Sequence, residues 1–262
     1  MKSIHLALSA ALLALTTLHA SAAPSAFSNA SFSNISVGVI DLTPSDGAAA
    51  WYQTQFMSSN AAAGIEYGTS RLSQSDSTTM PRVLSEAVSY GANSASAHAG
   101  ILDEISTQTA ASSDLGPGSS AYAAVNQWYR ITVSAHSMLT VSGQASAWTG
   151  KSADAGAEFK TYNHTTAELE GDGLWSGYRQ DIGFDGSAPA GGSSQGFWLA
   201  YANTSDTDMK VELRFKVWTG SSVISPSVPV PMPVPEPSSY AMLGAGLLLL
   251  GAVARRRKAG QS

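Results

Sequence analysis

Between Met209 and Val217 apolar and polar residues alternate one for one. Met209, Val211, Leu213, Phe215 and Val217 fall on one side, Lys210, Glu212, Arg214 and Lys216 on the other. A period of two sends successive side chains to opposite faces of a pleated strand, so this segment predicts a half-buried antiparallel strand. Gln195 to Ala202 follows the same rule, with Phe197, Leu199 and Tyr201 on one face and Trp198 and Ala200 on the other. The stretch Asn203-Thr204-Ser205-Asp206 between them carries turn chemistry, and the two segments are expected to pair as a hairpin. Tyr129, Ile131 and Val133 predict another strand, Leu139 to Ala147 the next, and Asn34 to Leu42 one near the start. Pro81 to Tyr90 reads either as a short helix behind a first-turn proline or as a strand. Turns rich in Gly and Ser at 115–118 and 190–193 cut the chain into short elements. Many short strands between such turns predict an all-β body, an antiparallel sandwich of jelly-roll-like kind, over residues 23–225.

Both ends depart from this pattern. Lys2 precedes an apolar stretch from Ile4 to Leu15, and Ala20-Ser21-Ala22 places small residues at the positions a signal peptidase reads. Residues 1–22 are therefore expected to be a signal peptide cut between Ala22 and Ala23. At the other end, residues 226–237 run PSVPVPMPVPEP, a spacer that can neither continue a helix nor fully pair in a sheet. Residues 238–262 then hold an apolar run from Tyr240 to Ala254 and the basic quartet Arg255, Arg256, Arg257 and Lys258. Fifteen helical residues rise about 22 Å, short of the roughly 30 Å hydrocarbon layer. The quartet supplies the stop, because Lys and Arg stay on the cytoplasmic side of a membrane. A short transmembrane helix is expected here, with the body on the outer side of the inner membrane.

Proline spacer, Pro235-Glu236-Pro237, apolar helix and basic cluster, in that order, resemble the PEP-CTERM sorting signal of Gram-negative bacteria. The tail is also described as an ice-binding protein C-terminal domain. The resemblance covers about the last 30 residues and implies an exosortase as partner, with Pro235, Glu236 and Pro237 as the recognised tripeptide. It further implies a transient stay in the inner membrane, then delivery to the cell surface or the surrounding polymer. Such a tail is an address carried by bodies of many kinds, so no activity transfers with it.

Composition narrows the body's role. Charged residues make up 13% of the chain and cysteine is absent, which removes disulfides, thiolate metal sites and cysteine nucleophiles. Without both ends the body carries a net charge of about −9. That argues against nucleic acid, whose binding needs a concentrated basic face. Glu168, Glu170, Asp172, Asp181 and Asp185 are separated by glycines in a way a Ca²⁺ site could use, yet the regular loop spacing is missing. On a strand Glu168, Glu170 and Asp172 would share an outward face, and solvated surface charge is the simpler reading. A glycan hydrolase using carboxylates in 168–185 would need two of them facing each other about 5–9.5 Å apart.

A serine hydrolase would need a nucleophile elbow, a histidine and an orienting acid. His98, His136 and His164 are the histidines left in the body, and none is expected to complete such a set. Trp51, Tyr52, Trp128, Tyr129, Trp148, Trp175, Tyr178, Trp198 and Trp218 could supply a platform for sugar rings. Most large aromatics of a sandwich are expected in its core, with Trp218 turned outward by its strand parity. No cofactor and no metal are expected. These observations point to an exported, non-catalytic surface or matrix protein, structural or adhesive, with a carbohydrate-binding module and a glycan hydrolase as alternatives.

Overall fold

The computed structural model describes residues 23–152, 157–186 and 191–225, the last three residues of the middle span by backbone alone. The signal peptide, the spacer and the C-terminal helix, with Ala22, Pro235, Glu236, Pro237 and Arg255–Lys258, lie outside the described residues.

Among the described residues twelve strands follow one another: β1 (Ser25–Asp41), β2 (Tyr52–Tyr67), β3 (Ser70–Thr78), β4 (Leu84–Tyr90), β5 (Asn93–Ala99), β6 (Ile105–Ser112), β7 (Ser120–Val133), β8 (Ser137–Lys151), β9 (Glu158–Gly171), β10 (Leu174–Gly186), β11 (Gly191–Asn203) and β12 (Met209–Ser225). A 3-10 turn, Ser113–Leu115, lies between β6 and β7. The strands form two six-stranded sheets, sheet I in the order β11-β8-β1-β6-β5-β4 and sheet II in the order β10-β9-β12-β7-β2-β3. Every pairing is antiparallel. The sheets stack strand over strand, β11 against β10, β1 against β9 and β12, and β4 against β2 and β3. Within Pro81 to Tyr90, Leu84–Tyr90 resolves as the edge strand β4, and the Gly191-Gly192-Ser193 stretch read as a turn opens β11 instead.

The anticipated hairpin between Gln195–Ala202 and Met209–Val217 does not form. β11 pairs with β8 in sheet I, whereas β12 lies between β7 and β9 in sheet II. Alternation was right about the faces and silent about the partner: Phe197, Leu199 and Tyr201 meet the core from one sheet, Val211, Leu213 and Phe215 from the other. The connection after Asn203 must cross the roughly 10 Å between packed sheets. Asn203 anchors that crossing, its side-chain amide donating to the carbonyls of Ser134 and Thr207, each at 2.9 Å. The β7–β8 connection crosses in the same way, with His136 at φ 50 and its Nε2 2.9 Å from Asp206.

At the centre of the core four rings meet. Phe32 lies 5.3 Å from Phe197, 5.3 Å from Phe215 and 6.1 Å from Tyr178, all edge-on. Tyr129 packs edge-on against Phe56 at 5.5 Å. Toward the end where β1 begins and β12 finishes, the inward positions turn polar: Ser28, Thr107, Thr109, Thr161, Asn163, Thr219 and Ser221 are all buried. Thr109 and Ser221 bond one another at 2.9 Å, whereas the hydroxyls of Thr107, Thr161 and Thr219 have no protein partner. Beyond this polar layer sits a separate small cluster of Ala26, Ala111, Ala157, Phe159 and Val223.

Candidate functional site

The tryptophans reverse the expectation. Five of the six are exposed: Trp51, Trp148, Trp175, Trp198 and Trp218. Trp218 points outward as its parity requires, and Tyr129 is buried as its strand requires, but Trp148 and Trp198 lie on the outer face of sheet I rather than inside. Trp148 alternates with the inward Ala145 and Ala147, so the same parity that placed Trp218 would have placed it.

On the outer face of sheet II the strand register assembles one transverse row. Gly183 of β10 stands beside Tyr162 of β9, then Gly220 of β12, Tyr122 of β7 and Gly64 of β2. Each tyrosine lies down over the glycine next to it. A Cβ built on Gly220 would come within 2.2 Å of the Tyr162 ring, and one on Gly64 within 2.2 Å of Tyr122. Only glycine leaves room for a ring this close to the backbone, and the ring in turn covers the bare main chain. The two tyrosines stand two strands apart, about 10 Å. Trp218 joins the row, its ring centroid 4.3 Å from that of Tyr162.

Charges fix the row at both ends. The Tyr122 hydroxyl accepts from Arg71 Nε at 3.0 Å, the Arg71 guanidinium lies 5.3 Å from its ring centroid, and Glu66 sits 3.6 Å from Arg71. Burial raises the Tyr162 phenol above its ordinary 10.0, and the negative charge of Glu66 adds to the rise. At the β10 end, Asp181 bonds His164 Nδ1 across the strands and accepts from Arg179 Nε at 2.6 Å. A groove of about 500 Å³ runs along Tyr162, His164, Asp181 and Trp218. A second, of about 280 Å³, lies between Tyr122, Tyr162, Trp218 and Glu66.

Burial alone would raise the Asp181 carboxyl; the hydrogen bonds from His164 and Arg179, and their charges, outweigh it and hold it below its ordinary 3.8. A depressed carboxylate stabilises the fold above its unfolded pKa and loses that contribution as pH falls through the folded one. Thermal melts should therefore separate wild type from Asp181→Asn at neutral pH, with the two curves converging once the pH drops below 3.8. A gap that persists in acid would show that the carboxylate's charge is not what stabilises.

The remaining described carboxylates of the 168–185 stretch lie on the outer face of β9 and at the turn that closes it. Glu168 is 3.9 Å from Lys216, and Glu170 is exposed. Asp172, at φ 44, forms the two-residue β9–β10 turn with Gly173. The side chain of Asp185 lies outside the described residues. Glu212, next to Glu170 in register, accepts from Arg214 at 2.5 Å and Arg130 at 3.5 Å. A glycosidase acid must keep its proton at neutral pH, which a neighbouring cation opposes. Among the described residues no three His, Asp or Glu side chains group closely enough to hold a metal ion.

Sequence reading missed one motif. Gly192, Ser194 and Gly196 have the G-x-S-x-G spacing of a nucleophile elbow. That elbow works at a sharp strand-to-helix turn. Here Ser194 sits within the regular strand β11, and its hydroxyl bonds Ser146 Oγ at 2.7 Å and Gln144 Nε2 at 3.0 Å, with no histidine among its partners. His98 lies on β5 facing a polar depression of sheet I with Ser85, Ser96 and Glu104.

The chain thus pairs a two-sheet antiparallel sandwich with a separate C-terminal address. Residues 233–258 match the PEP-CTERM protein-sorting motif, a span that contains Pro235, Glu236, Pro237 and Arg255–Lys258. That motif implies an exosortase as processing partner and export to the cell surface or beyond it. No curated protein matches the chain. Among solved structures, the enzymatically active domain of tailspike protein 4 of bacteriophage CBA120 overlaps 56% of this chain at 11% identity and TM-score 0.15, and this chain spans 19% of that domain. A carbohydrate-binding module of the β-sandwich superfamily, described as promiscuous in specificity, overlaps 63% of this chain and 84% of its own at 8% identity and TM-score 0.14. Overlaps this slight carry no argument about fold or ligand.

Proposed function

We propose that this protein is a non-catalytic component of the cell surface or extracellular matrix, adhesive in role, whose sheet II face contacts polysaccharide. In this reading residues 1–22 are removed after Ala22, residues 23–225 form the working body, and the spacer and helix at 226–262 serve sorting alone. The observation that carries it is the transverse row in which Tyr122 and Tyr162 lie flat over Gly64 and Gly220, with Trp218 alongside. Flat rings on an open sheet are the surfaces on which the apolar faces of sugar rings stack, and the carboxylates and amides beside them can bond the hydroxyls. The carboxylates are paired with cations, which suits holding a glycan and not cleaving it.

Retention of the full-length protein on the producer's own exopolysaccharide, measured in mild detergent, tests this. Wild type should be retained without release of reducing ends. Trp218→Ala and Tyr162→Ala should each weaken retention by about tenfold, the effect of roughly 1.4 kcal/mol. Release of reducing ends would convert the reading to a hydrolase, and absence of retention would leave a purely structural part.

A further inference from the structure

The cleft at the centre of sheet II differs in chemistry from the aromatic row. It holds about 700 Å³ across β12, β7 and β2, bordered by the end of β3. The two charged residues lining it are Arg214 and Lys216, both cations, and no carboxylate lines it. Asn60, Asn126 and Thr78 supply neutral donors and acceptors around them. This runs against the body as a whole, which is acidic; seven of its nine basic residues lie on strands of sheet II.

Arg214 is held in place. Its Nη2 donates to Glu212 at 2.5 Å, and its guanidinium lies 5.5 Å from the ring centroid of Trp128. A guanidinium fixed in this way keeps further N–H donors in one plane, the geometry that matches a carboxylate with two parallel bonds. Lys216, two residues along the same face, is only loosely engaged, 3.9 Å from Glu168, and adds a second positive charge. Two cations facing the cleft, their carboxylate partners Glu212 and Glu168 outside its lining, ringed by amides and hydroxyls, complement a sugar that bears an acid among its hydroxyls.

We propose that this cleft takes the carboxylate of a uronic acid residue, so that the polysaccharide recognised by the sheet II face is an acidic one. The inference rests on the polysaccharide reading above and adds the chemical class of the glycan.

Affinity electrophoresis of the full-length protein separates the two claims. Gels would contain polygalacturonate, its fully methyl-esterified form, dextran sulfate, or the producer's exopolysaccharide. Polygalacturonate should retard the protein, and esterification, which keeps the backbone and removes the charge, should weaken retardation at least tenfold. Arg214→Gln and Lys216→Gln should each lose about tenfold on polygalacturonate, and Arg214→Lys should recover only part of the loss, because it restores charge without the fork. Lys210→Gln, on the same strand and outside the cleft, should stay within twofold of wild type. Equal binding of both pectins overturns the uronate proposal and leaves the polysaccharide reading standing. Equal binding of dextran sulfate, or an equal loss in Lys210→Gln, overturns it in favour of unspecific attraction to polyanions. Binding of the exopolysaccharide but not of polygalacturonate also overturns it, and failure on all four polymers removes the underlying reading with it. Unchanged far-ultraviolet circular dichroism of each variant certifies the fold.

Discussion

Replacing Phe32 by alanine should destabilise the body by about 3–5 kcal/mol, the range for deleting a buried aromatic ring. At roughly 2–4 °C per kcal/mol for a domain of this size, the melting temperature should fall by roughly 6–20 °C. The reason is geometric. Phe32 is fully buried, and its ring is the one that Tyr178, Phe197 and Phe215 all face. Those partners come from three further strands, β10, β11 and β12, in both sheets, so the hole left behind cannot be closed by shifting one element. Phe27→Ala on the outer face of the same strand is the control, since Phe27 is 42% exposed. It should cost under about 1 kcal/mol. Equal losses in the two variants, read from urea or thermal melts, would contradict the assignment of faces on β1.

A second large effect is expected far from the core. Deleting Arg255 to Lys258, or changing Glu236 to Ala, should trap the precursor in the inner membrane and abolish surface delivery. The quartet closes the matched motif at 233–258, and in the proposed reading a tail that lacks it is not handed on by the sorting enzyme. Glu236 sits in the matched motif, in the tripeptide proposed to be recognised by the processing enzyme. Cell fractionation with immunodetection of the body gives the readout. Surface delivery unchanged in both variants would reduce the tail to a plain anchor.

What the sequence revealed, and what it hid, follows from how hydropathy encodes a strand. Where large apolar residues alternate with charges, as from Val211 to Val217, both the strand and its buried face were legible. Trp218 was placed correctly by extending that parity. Trp148, beside the inward Ala145 and Ala147, was missed because residue type was weighed instead of parity. β5 was hidden: Ala95, Ala97 and Ala99 point inward and Ser94, Ser96 and His98 outward, yet Ala and Ser differ too little to mark a period. β6 and β9 were hidden for the opposite reason, since their inward positions include Thr107, Thr109, Thr161, Asn163 and Thr165. The transverse row could not be read at all. It joins residues from five strands, and the register that brings Gly64, Tyr122, Gly220, Tyr162 and Gly183 into line is a property of the folded sheet alone.

The strand order also sets when this protein can fold. Seven of the eleven connections leave one sheet for the other, and the hairpins that remain are β2–β3, β4–β5, β5–β6 and β9–β10. The first strand, β1, sits inside sheet I between β6 and β8, and the last, β12, sits inside sheet II between β7 and β9. Pairings between such remote segments are slow to close, because the loop entropy is spent before any contact repays it. Sheet II in particular stays split into β9–β10 and β7–β2–β3 until residues 209–225 arrive to join them. A chain emerging N-terminus first through a translocation pore therefore cannot complete its core until nearly the whole body is through. The topology itself keeps a translocated passenger threadable until its last strand, β12, is through.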